Sequence, residues 1–204
     1  MAAVDPASEQ IACARKQAIA PFVDFRVANA LNLPFPDSTF EIVVSALVIN
    51  FISDRRRALT EMRRVGSPDG IVAAYVWDLA GGRSPGTPLI RAMHQIHGDV
   101  PPVPGTEASS LDALSCLFER AGFEQIEMET IEVVTTYPNF DDFWRAQTPS
   151  FSPITKMIAA LSDKERVSFI EAVRTGLSIS ADGSITYSAT ANAIKARVPN
   201  QLGK

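Results

Sequence analysis

The sequence is short of several things, and each shortage closes off a class of function. Only two of its 204 residues are cysteines. Cys13 and Cys116 stand far apart, at no spacing that suits a metal, so reduced thiols are the simplest reading. The two histidines, His94 and His97, are three residues apart and could share a helix face. No carboxylate or cysteine pattern completes a metal site around them, and no metal is expected. His94 stands as a substrate-pocket or general-base candidate against the plainer reading of a solvated or capping histidine. Positive charge is not in excess: 19 Lys and Arg face 23 Asp and Glu, a net −4. No nucleic-acid partner and no membrane partner is expected from that balance. The longest apolar run, residues 42–52, is broken by Ser45 and Asn50 and is too short to cross a bilayer. The opening MAAVDPASEQ has an acid at position 5 and no basic-then-apolar leader. The expectation is a soluble cytoplasmic protein. Glycine is scarce in one place: none of the 11 precedes Gly66.

What is present is an ordinary core. Apolar residues make up 46% and charged residues 21%, a globular balance in a chain long enough for one domain. PASEQIACARKQAIA (6–20) predicts a helix, with Pro6 in the first turn and Ile11, Ala14 and Ala18 on one face. FVDFRV (22–27) predicts a short strand. FEIVVSAL (40–47) is a β-branched run that predicts a strand buried on both faces. DRRRALTEMRRVG (54–66) predicts a helix capped by Ser53 or Asp54 and stopped by Gly66 and Pro68. GIVAAYVW (70–77) predicts another buried strand. This alternation predicts a parallel, doubly wound α/β sheet. Farther on, residues 89–98 and 110–122 predict helices. Residues 123–137 predict an edge strand, residues 140–147, 153–161 and 163–177 short helices, and residues 184–197 a last strand that runs antiparallel to its neighbours. Arg55, Arg56, Arg57, Arg63 and Arg64 crowd one helix and are read as its solvated face. Tyr75, Phe140, Phe143 and Trp144 are read as core, with a pocket lid as the alternative.

Taken in order, VDPASEQIACAR, ANALNLPFPDSTFEIVVSALVINFISD and ALTEMRRVGSPDGIVAAYVWD resemble the class I S-adenosylmethionine (SAM)-dependent methyltransferases, in their small-molecule, methyltransferase type 11 branch. The resemblance covers residues 3–80 and, more loosely, 110–137 and 184–198. It implies a Rossmann-like three-layer sandwich with a mostly parallel sheet and an antiparallel last strand. It implies one methyltransferase-like domain over 1–204: a partial SAM-binding core at 1–80, an acceptor or lid segment with the penultimate strand at 81–183, and the last strand at 184–198. The implied activity is methyl transfer from SAM to a small-molecule acceptor.

The resemblance also places site residues. Asp5 would accept from the ribose hydroxyls of SAM, as an acid does at this point of dinucleotide folds; the alternative is a helix cap. Pro6 would follow it around the adenosine. Asn29 stands where the family more often carries Asp, and its amide oxygen can accept from the adenine amine; equally, it can form a turn. Ala30 and Leu31 would pack on the adenine. Ser45 and Ala46, at a strand's carboxyl end, would neighbour SAM or substrate, or simply pack. Trp77, after the third buried strand, would line the acceptor pocket with His94. No catalytic residue is implied: the methyl group of SAM is already activated, so alignment and exclusion of water come first, and a base is needed only when the acceptor must lose a proton.

One departure bears on all of this. The family carries a first strand and a Gly-rich turn that let the backbone approach the methionine end of SAM, and no glycine precedes Gly66. The expectation is an N-terminally shortened form of a longer enzyme, with open sheet edges that could pair with a second copy. The alternative is a non-catalytic remnant that acts as a partner or scaffold.

Overall fold

Strands and helices alternate from the first residues onward in the computed structural model, which describes residues 1–17, 20–98, 100–150 and 152–200. The chain divides into two units: residues 1–75, 111–129 and those from 193 on, and residues 76–110 with 130–192.

In the first unit, β1 (Ala2–Asp5) pairs in parallel with β2 (Asp24–Val27). Helix α1 between them spans Ser8–Ala14. It is shorter than the expected 6–20 helix. The chain turns after Ala14, where Lys16 N–H donates to the Cys13 carbonyl and the Arg15 guanidinium reaches back to the Phe25 carbonyl at 2.7 Å. Residues 18 and 19 lie outside the described residues. Strand β3 (Phe40–Ala46) pairs in parallel with β4 (Gly66–Trp77), Val43 opposite Val72 and Ala46 opposite Tyr75. Between them lies α2 (Arg55–Val65), whose N-terminus is capped by the Asp54 side chain accepting from Arg57 N–H at 2.9 Å. Ala58, Leu59, Met62 and Val65 recur at helical spacing and are all buried, which is why the helix packs inward. β4 begins directly at Gly66 and takes in Pro68, four residues earlier than the expected start at Gly70.

Two expectations need correction. The strands do not form one sheet. β1 and β2 make a two-stranded sheet, and the other four strands run in the order β3-β4-β6-β5, with β5 at Glu124–Tyr137 and β6 at Ile185–Arg197. Nor is β3 buried on both faces: Ile42 is 63% exposed and Val44 53%. The last strand is antiparallel, as expected. Asp69 N–H and Gly70 carbonyl bond Val198, while Asp78 N–H bonds the Thr190 carbonyl, so the partner number falls as β4 advances. β5 ends the four-stranded sheet, the edge place its polar alternation predicts.

The second unit has its own core. Helices α3 (Thr87–His97), α5 (Phe140–Gln147), α6 (Pro153–Ala159) and α7 (Asp163–Thr175) bury Leu89, Met93, Phe143, Phe169 and Val173 around Ile185. Phe140 and Phe143 are core, as expected, with Trp144 packed against them. Helix α7 opens with a capping box between Ser162 and Glu165. Helix α4 (Leu111–Arg120), in the first unit, buries Leu114 and Phe118 and gives way to Gly122 at φ 75°, a turn that favours glycine.

Candidate functional site

A cleft of about 410 Å³ runs through the first unit, between β1 and β3. Asp5 closes β1 and Ser45 and Ala46 close β3, so three residues singled out in the sequence sit at carboxyl ends of strands, where open α/β sheets bind ligands. All three line the cleft, and Ala30 lines it with them. The Asp5 Oδ1 accepts from Ala7 N–H at 2.8 Å. That bond makes a turn into α1, whose N-cap is Ala7, so Asp5 is not the helix cap; its other carboxylate oxygen has no partner among the described residues. Leu47, directly after Ala46, holds φ at 57° while its N–H donates to the Tyr75 carbonyl at 2.8 Å. Backbone strain of that kind collects at working sites.

The remaining adenosine candidates lie outside the cleft lining. Pro6 and Asn29 are exposed. The Asn29 amide oxygen accepts from Leu31 N–H at 2.9 Å, which is the turn-forming arrangement. The Leu31 carbonyl accepts from Arg57 Nε at 3.1 Å. Trp77 and His94 belong to the second unit. Trp77 is half-buried at the end of β4. His94 is exposed in the last turn of α3, its Nδ1 bonded to the Gly98 carbonyl at 2.9 Å. That is a capping contact.

The structure shows why a Pro-Phe-Pro corner precedes the apolar strand. Arg64 holds the corner by its backbone: its guanidinium donates to the carbonyls of Leu33 at 3.0 Å and Phe35 at 2.8 Å, and to Asp37 Oδ1 at 2.8 Å. Glu61, only 3% exposed, accepts from Leu33 N–H at 2.8 Å and from Arg64 at 2.8 and 2.9 Å. The Arg64 hydrogen bond, aided by Leu33 N–H, holds the Glu61 carboxyl below its ordinary range, and the hydrogen bonds to Glu61 and Asp37 raise Arg64. Phe35 meets Phe40 edge-on at 4.9 Å and lines the cleft. The solvated-face reading of the arginines is therefore wrong for most of them. Arg55 bonds the Asn50 carbonyl, Arg57 the Leu31 carbonyl and Arg63 the Ala121 carbonyl. They tie loops to α2. The carbonyls they hold are backbone atoms of loops, and no sequence pattern marks them.

Two further features escaped the sequence. Asn50 is 1% exposed and its Oδ1 has no hydrogen-bond partner among the described residues. In the second unit, Asp78 is 3% exposed, accepts from Gly81 N–H and pairs with Arg83 Nε at 2.7 Å. Arg83 and Arg91 line a polar depression there with Glu132 and Tyr187. Tyr187 donates to the Ser84 carbonyl, and burial pushes its phenol up.

Residues 1–74 match the family model described as a methyltransferase domain. An O-methyltransferase of Aspergillus nomiae, rstn1, is 34% identical over 109 residues, 53% of this chain and 45% of that protein. The rat mitochondrial arginine-hydroxylase NDUFAF5 is 32% identical over 118 residues, 55% of this chain and 32% of that protein. The chain thus spans less than half the length of these curated relatives. A structure assigned as a type II methyltransferase of Anaeromyxobacter dehalogenans superposes with a TM-score of 0.67 at 19% identity, covering 98% of this chain and 81% of that one. The chain thus has an α/β fold like that of the methyltransferase structure it superposes on, and its residues 1–74 match the methyltransferase-domain model.

Proposed function

We propose that this chain serves SAM-dependent methyl transfer to a small-molecule acceptor in the cytoplasm, with its first unit holding the nucleoside end of SAM. One observation carries the reading: Asp5, with a carboxylate oxygen to spare, shares the cleft mouth with Ala30, Ser45 and Ala46 at the ends of two strands. A carboxylate so placed accepts two vicinal hydroxyls. SAM, when bound, supplies a methyl group already activated on a sulfonium. What the chain supplies is position. Asp5 fixes the ribose, Ala30 offers an apolar wall to the adenine, and the Glu61–Arg64 clamp keeps the corner beside them in place. Asn29, Pro6 and Leu31 join this site only at its exposed rim, and Trp77 and His94 are proposed to serve the acceptor.

The residues fit one end of the ligand better than the other. The methionine amine and carboxylate need close backbone approach, and no glycine precedes Gly66 to give it. Similarity to both an O-methyltransferase and an arginine hydroxylase means that the shared residues do not choose the reaction by themselves. Methyl transfer is preferred because the matched family model is a methyltransferase domain. The test is calorimetric titration of S-adenosylhomocysteine into residues 1–204 and into a longer form that carries a strand and a Gly-rich turn ahead of Asp5. Binding by the longer form, lost on Asp5→Ala, supports the reading; a longer form that folds and ignores the ligand overturns it.

A further inference from the structure

The second unit carries an open depression of about 610 Å³ whose lining comes wholly from its own residues. That is the size of a small-molecule site, but the walls are polar. They are formed by Arg83, Arg91 and Glu132 with the hydroxyls of Thr130, Ser188 and Thr190. Four stretches of chain meet there. Arg83 stands in the loop after β4, Arg91 on α3, Thr130 and Glu132 on β5, and Ser188 and Thr190 on β6. The loop is held in place. The Arg83 carbonyl accepts from Thr190 N–H at 2.8 Å, which fastens it to β6. Arg83 Nε donates to one oxygen of Asp78, whose other oxygen accepts from Gly81 N–H at 2.9 Å. A Cβ at Gly81 would collide with that carboxylate, so the loop closes this tightly only with glycine there.

The charges decide what fits. Asp78 offsets the charge of Arg83 at 2.7 Å. Nothing offsets the other two. Arg91 makes no hydrogen bond or ion pair among the described residues, and Glu132 accepts only from the Ser188 hydroxyl. Nor do Arg91 and Glu132 pair with each other, although they carry opposite charge and line one hollow. Elsewhere on the same two strands Glu127 meets Lys195 at 3.0 Å, so a carboxylate of β5 takes a cation where one is in reach. Both side chains are exposed, which suits a ligand that is itself polar. A plain anion drawn by Arg91 is repelled by Glu132, and a plain cation drawn by Glu132 is repelled by Arg91. A molecule with both charges satisfies both groups, its carboxylate matching the fork of the guanidinium. We propose that the depression binds a small zwitterion, an amino acid with its carboxylate on Arg91 and its ammonium on Glu132.

Binding here needs no cofactor, so its test is independent of the methyltransferase reading. The probes are glycine, β-alanine, γ-aminobutyrate and ε-aminocaproate, which lengthen the span between the two charges, titrated into isotope-labelled residues 1–204 and followed by NMR. Butyrate and butylamine serve as single-charge controls. At least one amino acid should saturate at about millimolar concentration, with amide shifts centred on residues 82–91, 130–132 and 187–190. Neither single-charge control should come within about tenfold of it. Arg91→Gln and Glu132→Gln each remove one charge, and each should weaken the best amino acid by at least about tenfold. An unchanged unfolding temperature shows that a variant has lost binding and kept its fold; if a variant does not fold, the single-charge controls on the unaltered protein decide alone. Saturation by none of the four amino acids overturns the proposal. So does butyrate that binds as tightly as the best amino acid and gains from Glu132→Gln, which makes the depression a plain anion site. The mirror result, with butylamine and Arg91→Gln, overturns it by making a plain cation site.

Discussion

The Glu61 carboxylate and the Arg64 guanidinium meet at 2.8 Å one helical turn apart, with Leu33 N–H completing the carboxylate's shell. The pair sits under the corner that leads into β3. Its Glu side chain is 4% exposed and its Arg side chain 29%. Removing one partner of a pair so placed strands the other, which costs far more than the pair contributes. Arg64→Leu leaves a buried carboxylate without its main donor and frees the carbonyls of residues 33 and 35. The expected loss is roughly 2–4 kcal/mol in denaturant unfolding.

Arg56 is the control within the same helix. It is exposed, and reversing its charge in Arg56→Glu should change stability by no more than about 0.5 kcal/mol. A comparable loss at both positions in the same unfolding assay would mean that helix charge, not the clamp, is being measured.

The contrast between those two arginines shows where the sequence stopped being legible. Element type and order follow from local patterns. Helix α2 announces itself by Asp54, the spacing of Leu59 and Met62, and Gly66, and β6 by its length and its Gly183 turn. Which arginine faces water does not, because the partners of Arg55, Arg57, Arg63 and Arg64 are main-chain carbonyls that no composition reveals. The same limit explains β3. A β-branched run predicts burial, yet Ile42 and Val44 are exposed because what would cover them is decided by neighbours in space. Of the candidate site, Asp5, Ala30, Ser45 and Ala46 were singled out by the family resemblance, and they line one cleft. The strain at Leu47 and the unpaired Asn50 Oδ1 were not, since neither leaves a mark on residue type.

The clamp also gives the protein an acid-sensitive element. The Glu61 carboxyl titrates lower in the folded chain than in the unfolded one. As pH falls below the unfolded value of about 4.3, the unfolded state takes up the proton first, so folding stability falls with it. The contribution is fully present above that value and is lost as pH drops through the lower, folded value. Glu61→Gln should be less stable than the parent at neutral pH, and the gap should narrow as the pH is taken from about 6 to about 3. Thermal unfolding of both proteins across that range measures it; a constant gap would show that Glu61 acts only through packing.

Ser162 offers a check on the second unit. It caps α7 by accepting from Glu165 N–H, and Glu165 returns the contact to Ser162 N–H at 2.9 Å. Ser162→Ala should cost about 1 kcal/mol. Hydrogen exchange should quicken first at the start of α7, because the lost bonds are local to that turn.

The last expectation concerns affinity for the cofactor itself. Asp5 can hold the ribose from the end of β1, and Ala30 the adenine, but both act on the nucleoside half of the ligand. At the other half, charge-assisted hydrogen bonds to the methionine amine and carboxylate are worth roughly 1.5–3 kcal/mol each. Several of them missing would carry a micromolar site to about millimolar or weaker. Residues 1–204 alone should therefore bind S-adenosylhomocysteine barely or not at all, while adenosine should lose much less relative to the longer form, since it never uses the missing contacts. That difference between the two ligands separates a half-built site from an unfolded one. In the longer form, Asp5→Ala should weaken both ligands by at least about tenfold, and an unchanged affinity would remove Asp5 from the site. Micromolar binding of S-adenosylhomocysteine by residues 1–204 would mean instead that the backbone around Asp5 and Leu47 already holds the methionine end without a Gly-rich turn.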